Sequence, residues 1–451
     1  MIRTKQLLKL ANRRNFIQIS YFCSKSSNSS SDYDIIISGG GLVGTTLACS
    51  LAKSERLCDK SILLLEGAPV FKRTNIEGYS NRVSALSPGT IDLMKAINAW
   101  DHISATRFKA VGHMQIWDAA SDAHISFRGD PNKPLAYIVE NDLVLDAVYN
   151  QLKDVKNVKI LNNSRVEKVN LVPKPSVSLK SGETYSADLL IGADGYNSLV
   201  RKAIGGSDIS LSYEQMGVVA TIELSEANDN ITAWQRFIPT GPVALLPLNE
   251  SLSSLVWTTT KDHAKKLLQM DATEFIDALN EAFYKEYKKD RLVTGAMDTF
   301  KSIFGNNMGE GPQFPPKIVG VVDKSRAAFP LGFSHNSTYV MQGAAIVGDA
   351  AHRIHPMAGQ GVNLGFGDVK CLTEVLSEAS YRGADLGDVT HLVQYEKERL
   401  LQNLPIMFGV HGLQRLYNTD NPLVVALRSI GLKLTHGTPQ IKDLFMSRAM
   451  S

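Results

Sequence analysis

The residues best suited to chemistry lie in one stretch near the C-terminal end, from Gly348 to Asn363. The apolar run 344–347 predicts a strand that delivers a single carboxylate, Asp349, at its end. A proline, a cluster of glycines and an asparagine then open a predicted helix. A carboxylate beside exposed main-chain amides suits a ligand that carries both hydroxyl groups and a polar ring.

A second motif stands about 300 residues upstream, directly after an apolar run typical of a buried parallel strand. In a dinucleotide-binding turn, Gly39 would permit the tight turn and Gly41 would let a pyrophosphate approach the main chain. Gly44 would let the helix pack closely on the strand. The next predicted strand, 61–65, ends in Glu66, whose carboxylate would hold ribose hydroxyl groups.

The glycine turn alone does not distinguish NAD from FAD. The distal segment does, because an NAD domain needs no second anchor so much later in the chain. The two motifs therefore predict the two ends of one FAD. A third predicted strand ends in Asp194-Gly195, with Arg201 on the helix that follows. Asp194 is either a ligand-binding residue or a helix cap with Arg201 as its partner, and the residues leave both possibilities open.

Composition limits the class of protein. The chain has 451 residues, 44% of them hydrophobic and 21% charged, which is ordinary for a soluble globular protein, and its four scattered cysteines predict reduced thiols. No run approaches the roughly 18–20 apolar residues that span a bilayer. Residues 1–31 are basic, partly Ser-rich and free of Asp and Glu, which predicts a mitochondrial transit peptide or, alternatively, a disordered basic tail. Because the remaining residues have 42 basic and 45 acidic side chains, the sequence gives no support for nucleic-acid binding.

These three segments, in this order, resemble the class A flavoprotein aromatic monooxygenases related to p-hydroxybenzoate hydroxylase. The resemblance covers nearly everything from Asp34 to about Arg399. A narrower resemblance is to the ubiquinone-biosynthesis hydroxylase group and its mitochondrial monooxygenases. It is carried by four stretches, 81–88, 235–242, 244–248 and 352–365.

The resemblance implies cofactor-binding roles for eleven residues: Gly39, Gly41, Gly44, Glu66, Arg82, Asp194, Asp349, Pro356, Gly359, Gly361 and Asn363. In the family, the Asp194-Gly195 motif is linked to both FAD and the pyridine nucleotide, and Pro356 lies beside the flavin where oxygen reacts. Without the resemblance, Arg82 would be taken as a surface salt-bridge residue.

The sequence contains no convincing Ser/His/Asp, Cys/His or paired-carboxylate catalytic set, and we assign no catalytic residue. This agrees with chemistry carried by a cofactor. The resemblance implies that a flavin hydroperoxide, formed with dioxygen, hydroxylates the ring of a polyprenylated 4-hydroxybenzoate-type precursor of ubiquinone (coenzyme Q). His352 and His355 bracket the flavin-facing turn and are predicted to be neutral and structural.

The resemblance also implies electrons from a ferredoxin and its reductase, and association with other ubiquinone-biosynthesis proteins. It implies a peripheral position on the matrix side of the mitochondrial inner membrane. Two other functions stay open on the residues: a different FAD enzyme, such as an NAD(P)H-dependent hydroxylase of a soluble phenol or a prenyl reductase, and a scaffold subunit whose FAD is structural.

The predicted fold is α/β, with a discontinuous Rossmann-like FAD-binding domain, a mainly β substrate domain and a C-terminal helical segment. The predicted bounds are 1–31 for the transit peptide, 32–110, 136–206 and 333–401 for the FAD-binding domain, 111–135 and 207–332 for the substrate domain, and 402–451 for the C-terminal helices.

Three features are left open or weighed between two roles. An insertion near 284–316 is predicted as a disordered loop, a lid or a docking element. The helix predicted over 422–434 favours packing on the protein over contact with a membrane surface. Four aromatic residues are predicted as core rather than as a pocket lining: Trp234, Phe237, Trp257 and Phe333.

Overall fold

The structure is a computed structural model that describes residues 31–74, 76–121, 123–130, 133–226, 229–304, 313–438, 440 and 442. The predicted transit peptide, apart from Ser31, lies outside the described residues. Within these ranges the chain forms twenty strands, eleven α-helices and two 3-10 turns, an α/β architecture as predicted. The described cysteines, Cys49, Cys58 and Cys371, are free thiols.

The strands, in chain order, are β1 (Ser31–Ser38), β2 (Ile62–Leu65), β3 (Val83–Leu86), β4 (Lys109–Val111), β5 (His113–Asp118), β6 (His124–Arg128), β7 (Ala136–Glu140), β8 (Val158–Leu161), β9 (Val166–Asn170), β10 (Ser176–Leu179), β11 (Thr184–Gly192), β12 (Asp208–Leu224), β13 (Thr232–Ile238), β14 (Gly241–Pro247), β15 (Leu252–Thr260), β16 (Ile318–Val321), β17 (Ala327–Asn336), β18 (Val340–Met341), β19 (Ala344–Ile346) and β20 (His352–Arg353). The α-helices are α1 (Leu42–Lys53), α2 (Pro88–Ala96), α3 (Trp100–Thr106), α4 (Asn141–Leu152), α5 (Leu199–Ile204), α6 (Lys261–Gln269), α7 (Ala272–Tyr284), α8 (Arg291–Phe304), α9 (Gly361–Tyr381), α10 (Val389–Tyr417) and α11 (Pro422–Gly437). The 3-10 turns are Gly348–Ala350 and Pro356–Ala358.

The first sheet has a parallel centre in the order β8-β2-β1-β11-β19, with β18, β10 and β9 added antiparallel. Its central strands are continuous apolar runs, and Ile35, Ile36 and Ile37 of β1 are fully buried. Strands buried on both faces need such runs, because helices cover a parallel sheet from both sides. Residues of α1, α4 and α9 share the hydrophobic cluster of this sheet. The predicted Rossmann-like unit is therefore present.

The second sheet has nine strands in the order β20-β17-β12-β15-β14-β13-β5-β6, with β16 beside β12. Its pairs are antiparallel except for β13 and β5, which run parallel. Strand β17 crosses the predicted domain boundary at residue 333 and pairs with β12 or β20 along its length, while the division into domains stays a prediction. The four aromatic residues predicted as core are at most 8% exposed: Trp234, Phe237, Trp257 and Phe333.

Part of the predicted insertion is a helix docked on the C-terminal segment. Val293 and Met297 of α8 are buried in one hydrophobic cluster with Val425 of α11. Residues 305–312 of the insertion lie outside the described residues. The Arg428 guanidinium of α11 lies 2.8 Å from the buried Asp118 carboxylate at the end of β5. One side of α11 therefore packs on the protein, as predicted.

The third sheet, β3-β7-β4, is short and antiparallel and leads from the first sheet to the second. Helix α10 begins at Val389, earlier than the sequence predicts, and continues through Pro405. In the described part of the chain, no helix combines the length and the apolar character needed to cross a bilayer.

Candidate cofactor site

Three strand ends of the first sheet meet at one edge. The Ala193 amide, just after β11, donates to the Ser38 carbonyl at the end of β1, at 2.8 Å. The Val347 amide, just after β19, donates to the Gly192 carbonyl at 2.9 Å. Because β1, β11 and β19 are parallel neighbours, the motifs that follow them share the carboxyl edge, where ligands of such sheets bind.

The glycines of the first turn have different surroundings. Gly39 has φ +108°, and a Cβ there would lie 2.3 Å from the Ala193 carbonyl oxygen. A Cβ at Gly44 would lie 1.9 Å from the Gly39 carbonyl oxygen. A Cβ at Gly41 would meet no protein atom within 4 Å. Gly39 and Gly44 are therefore required by the protein's own packing, whereas Gly41 faces open space.

Helix α1 begins at this turn with free main-chain donors. Gly41 is its N-cap, and no side chain caps the helix. The first amides of a helix have no intrahelical partner, and the helix dipole places partial positive charge there. A phosphate bound beside Gly41 would accept hydrogen bonds from these amides.

Glu66 is held by two main-chain donors. Its Oε2 accepts from the Gly40 amide at 2.6 Å, and its Oε1 accepts from the Ala68 amide at 2.7 Å. Each carboxylate oxygen can accept a further hydrogen bond. The half-buried carboxylate thus has the chemistry to accept from ribose hydroxyls.

The first and last motifs are in direct contact. A Cβ added at Gly348, where φ is +59°, would lie 3.1 Å from Val43 Cγ2 of α1. A Cβ added at Gly365 of α9 would lie 2.6 Å from the same atom. Two segments about 300 residues apart in sequence therefore form one site, which fits a cofactor with a nucleotide end and a ring end.

Asp349 lines a deep cleft. Its side chain is accessible, yet burial by the surrounding protein raises the pKa of its carboxyl, with His352 and Arg353 opposing that effect. A group that is both accessible and poorly solvated lies in a recess rather than on an open surface. Among the described residues, none donates a hydrogen bond to this side chain. The carboxylate is therefore an acceptor available to a ribityl hydroxyl.

A buried ionic network lies beneath Asp349 and was not predicted from the sequence. Asp368 of α9, fully buried, accepts from the Gly348 amide at 2.8 Å, from His352 Nε2 at 2.6 Å and from Arg399 Nε at 2.7 Å. Burial alone would raise the pKa of Asp368, but His352, Arg399 and these hydrogen bonds lower it to about 2. The network fixes both sides of the turn that carries Asp349.

A signal for Asp368 was present in the sequence. Asp368 stands between Leu364 and Leu372 at four-residue spacing, on the buried side of α9. An acid on an apolar helix face must be paired to be buried, so its position could have predicted a buried cationic partner.

The second turn leads into α9. Gly359 has φ +61°, and α9 begins at Gly361 after an N-cap, Gln360, that makes no side-chain cap. The first amides of α9 are therefore free of intrahelical partners. Pro356 opens the preceding 3-10 turn and is half-buried.

The Asn363 side chain is fully engaged within the protein. It donates to the carbonyls of Ala85 and Gly359 at 2.8 and 3.2 Å. It accepts from the Ser87 amide at 3.0 Å and from Thr90 Oγ1 at 2.8 Å. The side chain ties α9 to the end of β3, and this leaves the main chain of the turn for the cofactor.

The two histidines predicted as structural have protein partners. His352 is buried against Asp368, and His355 Nδ1 accepts from the Met357 amide at 3.1 Å. His355 is fully buried, and burial lowers its pKa to about 4. His355 is therefore neutral near pH 7. Its ring lies edge-on to Tyr213, with the centroids 5.2 Å apart.

Asp194 does cap a helix, but Arg201 is not its partner. Asp194 Oδ2 accepts from the Leu199 amide at 2.8 Å, at the first residue of α5. Arg201 Nε lies 3.6 Å from the Asp208 carboxylate, and its Nη1 donates to the Ala350 carbonyl at 3.1 Å. The other Asp194 oxygen is buried and has no partner among the described residues. Contact of Asp194 with FAD stays a prediction.

Arg82 lies at the entrance to β3 with an exposed side chain. Its carbonyl accepts from the Asn141 amide at 2.9 Å, while no carboxylate of the described residues pairs with its guanidinium. A surface ion pair therefore does not account for Arg82 in the described part of the chain. Its role in FAD binding stays a prediction.

Comparisons with known proteins support the assignment of this site to FAD. The model of the FAD binding domain family matches residues 32–306 and 327–403. The mitochondrial ubiquinone biosynthesis monooxygenase COQ6 of Drosophila melanogaster is 54% identical over 437 residues, which cover 95% of this chain and 91% of that protein. The protein of the same name from Homo sapiens is 44% identical over 432 residues, which cover 92% of each chain.

Solved structures show the same fold at low identity. PqsL of P. aeruginosa, in complex with 2-aminobenzoylacetate, aligns with a TM-score of 0.65 and 19% identity, covering 89% of this chain and 99% of that one. The p-nitrophenol 4-monooxygenase PnpA of Pseudomonas putida aligns with a TM-score of 0.67 and 16% identity, covering 93% and 99%. The glycine turns, the contact between the two motifs and the similarity to these relatives agree. The chain belongs to the FAD-binding-domain family of ubiquinone biosynthesis monooxygenases, and its cofactor is FAD.

Proposed function

We propose that this chain is an FAD-dependent monooxygenase that hydroxylates the aromatic ring of a polyprenylated 4-hydroxybenzoate-type precursor in ubiquinone biosynthesis. The observation that carries the proposal is the contact of Val43 with Gly348 and Gly365, which joins a nucleotide-binding turn to a second turn suited to a polyol and a ring. The names of the relatives support the pathway.

At the nucleotide end, the protein binds the cofactor and orients it. The open face at Gly41 and the first amides of α1 hold the pyrophosphate, while Glu66 accepts from ribose hydroxyls. Asp349, fixed from below by Asp368, accepts from a ribityl hydroxyl. When bound, FAD supplies the electron and oxygen chemistry that amino acids lack.

At the ring end, the free amides of α9 provide hydrogen-bond donors and partial positive charge beside the ring. The nine-stranded sheet adjoins this turn directly, because β20 pairs with β17 through Ser334 and His335. With FAD bound, that sheet would lie next to the ring, position the phenol and exclude water. The neutral His355, next to Pro356, keeps positive charge out of the turn.

The proposed setting is the matrix side of the mitochondrial inner membrane, where the protein is peripheral. The basic N-terminal residues and the relatives' names, which include the word mitochondrial, support the mitochondrial part of this proposal. The proposed electron donors are a ferredoxin and its reductase, as the resemblance to the ubiquinone-biosynthesis hydroxylases implies. The proposed partners are other ubiquinone-biosynthesis proteins.

Anaerobic reduction of the bound FAD tests the proposal. The protein is mixed with NADPH, or with ferredoxin, its reductase and NADPH, each with and without a prenylated hydroxybenzoate. We expect reduction only with the ferredoxin couple, followed by a ring-hydroxylated product when air is admitted. Efficient direct reduction by NADPH, stimulated by an unprenylated phenol, would instead support a general aromatic hydroxylase.

The variant Pro356→Arg separates the enzyme from a scaffold that carries structural FAD. It places a bulky charge on the proposed ring-facing turn and not at the nucleotide turn. The proposal predicts retained protein and lost hydroxylation. A variant that supports ubiquinone synthesis as well as the wild type does would favour the scaffold.

A further inference from the structure

Helices α10 and α11 each carry an apolar stripe that no other described residue covers. From residue 401 to the end of α11, seven large apolar side chains of the two helices are between 39% and 70% exposed; we call them the outer leucine face: Leu401, Phe408, Leu413, Leu416, Leu423, Leu427 and Leu434. In α11 the spacing of four and seven residues puts all three leucines on one side of the helix. Scattered single apolar residues need no explanation, but an apolar stripe on consecutive helices does.

The opposite side of α10 faces the cofactor site. Met407, fully buried, shares a hydrophobic cluster with Phe333, Ile354 and Leu364. Ile354 directly precedes His355 and the proposed ring-facing turn. The next residue after Met407, Phe408, is 56% exposed. One helix, about 10 Å across, therefore separates the outer leucine face from the apolar wall of the site.

The segment that carries the outer leucine face has more basic than acidic residues. Residues 401–437 contain three basic residues, Arg415, Arg428 and Lys433, and a single acid, Asp420, in the turn between the helices. Arg428 is engaged with Asp118, whereas Arg415 is exposed on α10. No carboxylate stands on either helix in this range. A lipid bilayer offers apolar acyl chains beneath its headgroups, and some of these headgroups are anionic. An apolar protein face that has a cationic side chain and no acids is complementary to such a surface.

We propose that the outer leucine face lies in the interfacial layer of a bilayer that contains anionic lipid. The exposed leucine and phenylalanine side chains of this face supply the apolar contact, and Arg415 contacts the headgroups. This inference deepens the proposed function and rests on it for one point, a substrate whose prenyl tail resides in the membrane. It places α10 between that lipid phase and the ring-facing turn, so the tail has a short apolar path along the helix.

Vesicle flotation of the full-length, FAD-loaded chain tests the inference. The probes are phosphatidylcholine vesicles with and without cardiolipin. The test variant is Leu423→Glu with Leu427→Glu, and the matched control is Leu268→Glu, a leucine of α6 that is 38% exposed and outside this face. The FAD absorbance and thermal melting show whether each variant is folded, and the single change Leu427→Ser replaces the double variant if that one does not fold.

We expect the wild type and Leu268→Glu to float with cardiolipin vesicles and to bind more weakly at high salt. We expect the double variant to bind at least about tenfold more weakly, since two leucines no longer enter the apolar layer. Equal flotation of the double variant and the wild type would overturn the proposal. Wild-type protein that stays unbound in both kinds of vesicle would also overturn it and would point to a protein partner on this face.

Hydroxylation in detergent micelles keeps this inference separate from the proposed function. We expect the double variant to retain wild-type turnover on substrate dissolved in micelles and to lose it on substrate held in vesicles. Loss of turnover by the wild type itself in micelles would count against the proposed function and not against the membrane face. Equal turnover of both proteins on vesicle-held substrate would contradict the membrane face.

Discussion

The nucleotide end and the ring end of the site are built by different means. At the nucleotide end, the strand, the turn and the acid lie within residues 34–66, and the shape of the turn is set by contacts of Gly39 and Gly44 with carbonyl oxygens. At the ring end, Asp349 depends on Asp368 and on residues of two later helices. Local steric shape forms the first end, and a buried ionic network holds the second.

The largest effect is expected at the nucleotide turn, from Gly44→Ala. The added Cβ would lie 1.9 Å from a carbonyl oxygen that cannot move without breaking the turn. We expect the free energy of unfolding to fall by more than ~4 kcal/mol and bound FAD to be lost. Chemical denaturation and the absorbance of the purified protein measure the two effects.

Gly41→Ala is the matched control for that change. Its Cβ would meet no protein atom within 4 Å, so the apoprotein should keep its stability within ~0.5 kcal/mol. FAD should bind at least about tenfold more weakly, because the methyl group occupies the path of the pyrophosphate. Equal loss of stability in both variants would show that the distinction between the two glycines is wrong.

At the ring end, Asp368→Asn should cost ~3–5 kcal/mol of stability, because it leaves the buried Arg399 and His352 without their carboxylate. It should also weaken FAD binding, since the turn that carries Asp349 loses its fixed position. The control is Glu378→Gln, which removes exposed ion pairs with Arg56 and Arg382 and should leave the stability nearly unchanged, because solvent screens such pairs. Similar costs for the two variants would contradict the network.

Asp349→Asn should separate binding from stability. The pKa of Asp349 is raised in the folded apoprotein, so its carboxylate opposes folding above the unfolded pKa, and this penalty disappears as the pH falls. We therefore expect the apoprotein to be as stable as the wild type or slightly more so at pH 7. FAD should bind ~10–100-fold more weakly, through loss of a hydrogen bond to a charged acceptor. A destabilised apoprotein would contradict the cleft position.

A smaller effect is expected on the pH dependence of stability. His355 has an ordinary pKa of 6.5 when unfolded and about 4 when folded, so the unfolded chain binds the proton first. The free energy of unfolding should therefore fall by ~1–3 kcal/mol between pH 6.5 and pH 4. His355→Asn should reduce this slope, and His391→Asn at the start of α10 should not. Denaturation curves across that pH range measure it.

Most of the nucleotide end could be predicted from the sequence, because strand, glycine spacing and terminal acid are local patterns. A mainly β region was also predicted, although the parallel pairing of β13 with β5 was not. The ring end was predicted only as a motif. The hydrogen bonds that hold this end join Gly348, Asp368 and Arg399, and no periodic pattern in a sequence specifies a three-residue contact of that kind.

The C-terminal region shows the same limit. The helix over 422–434 was predicted, but its partner was not, because docking of α8 on α11 depends on tertiary packing. The alternative that paired Asp194 with Arg201 rested on sequence proximity, whereas the folded chain brings Asp208 to Arg201. Helix and strand periods identify elements, while contacts between distant charges need the three-dimensional arrangement.

The most direct test of the account is the affinity for FAD of Gly41→Ala, Asp349→Asn and the double variant, measured by titration of the apoproteins. If the two motifs hold opposite ends of one FAD, each change weakens binding and the free-energy losses add, since a Cβ at Gly41 would touch no protein atom within 4 Å, the Asp349 side chain included. An unchanged affinity in either single variant would contradict the claim that one FAD spans both motifs.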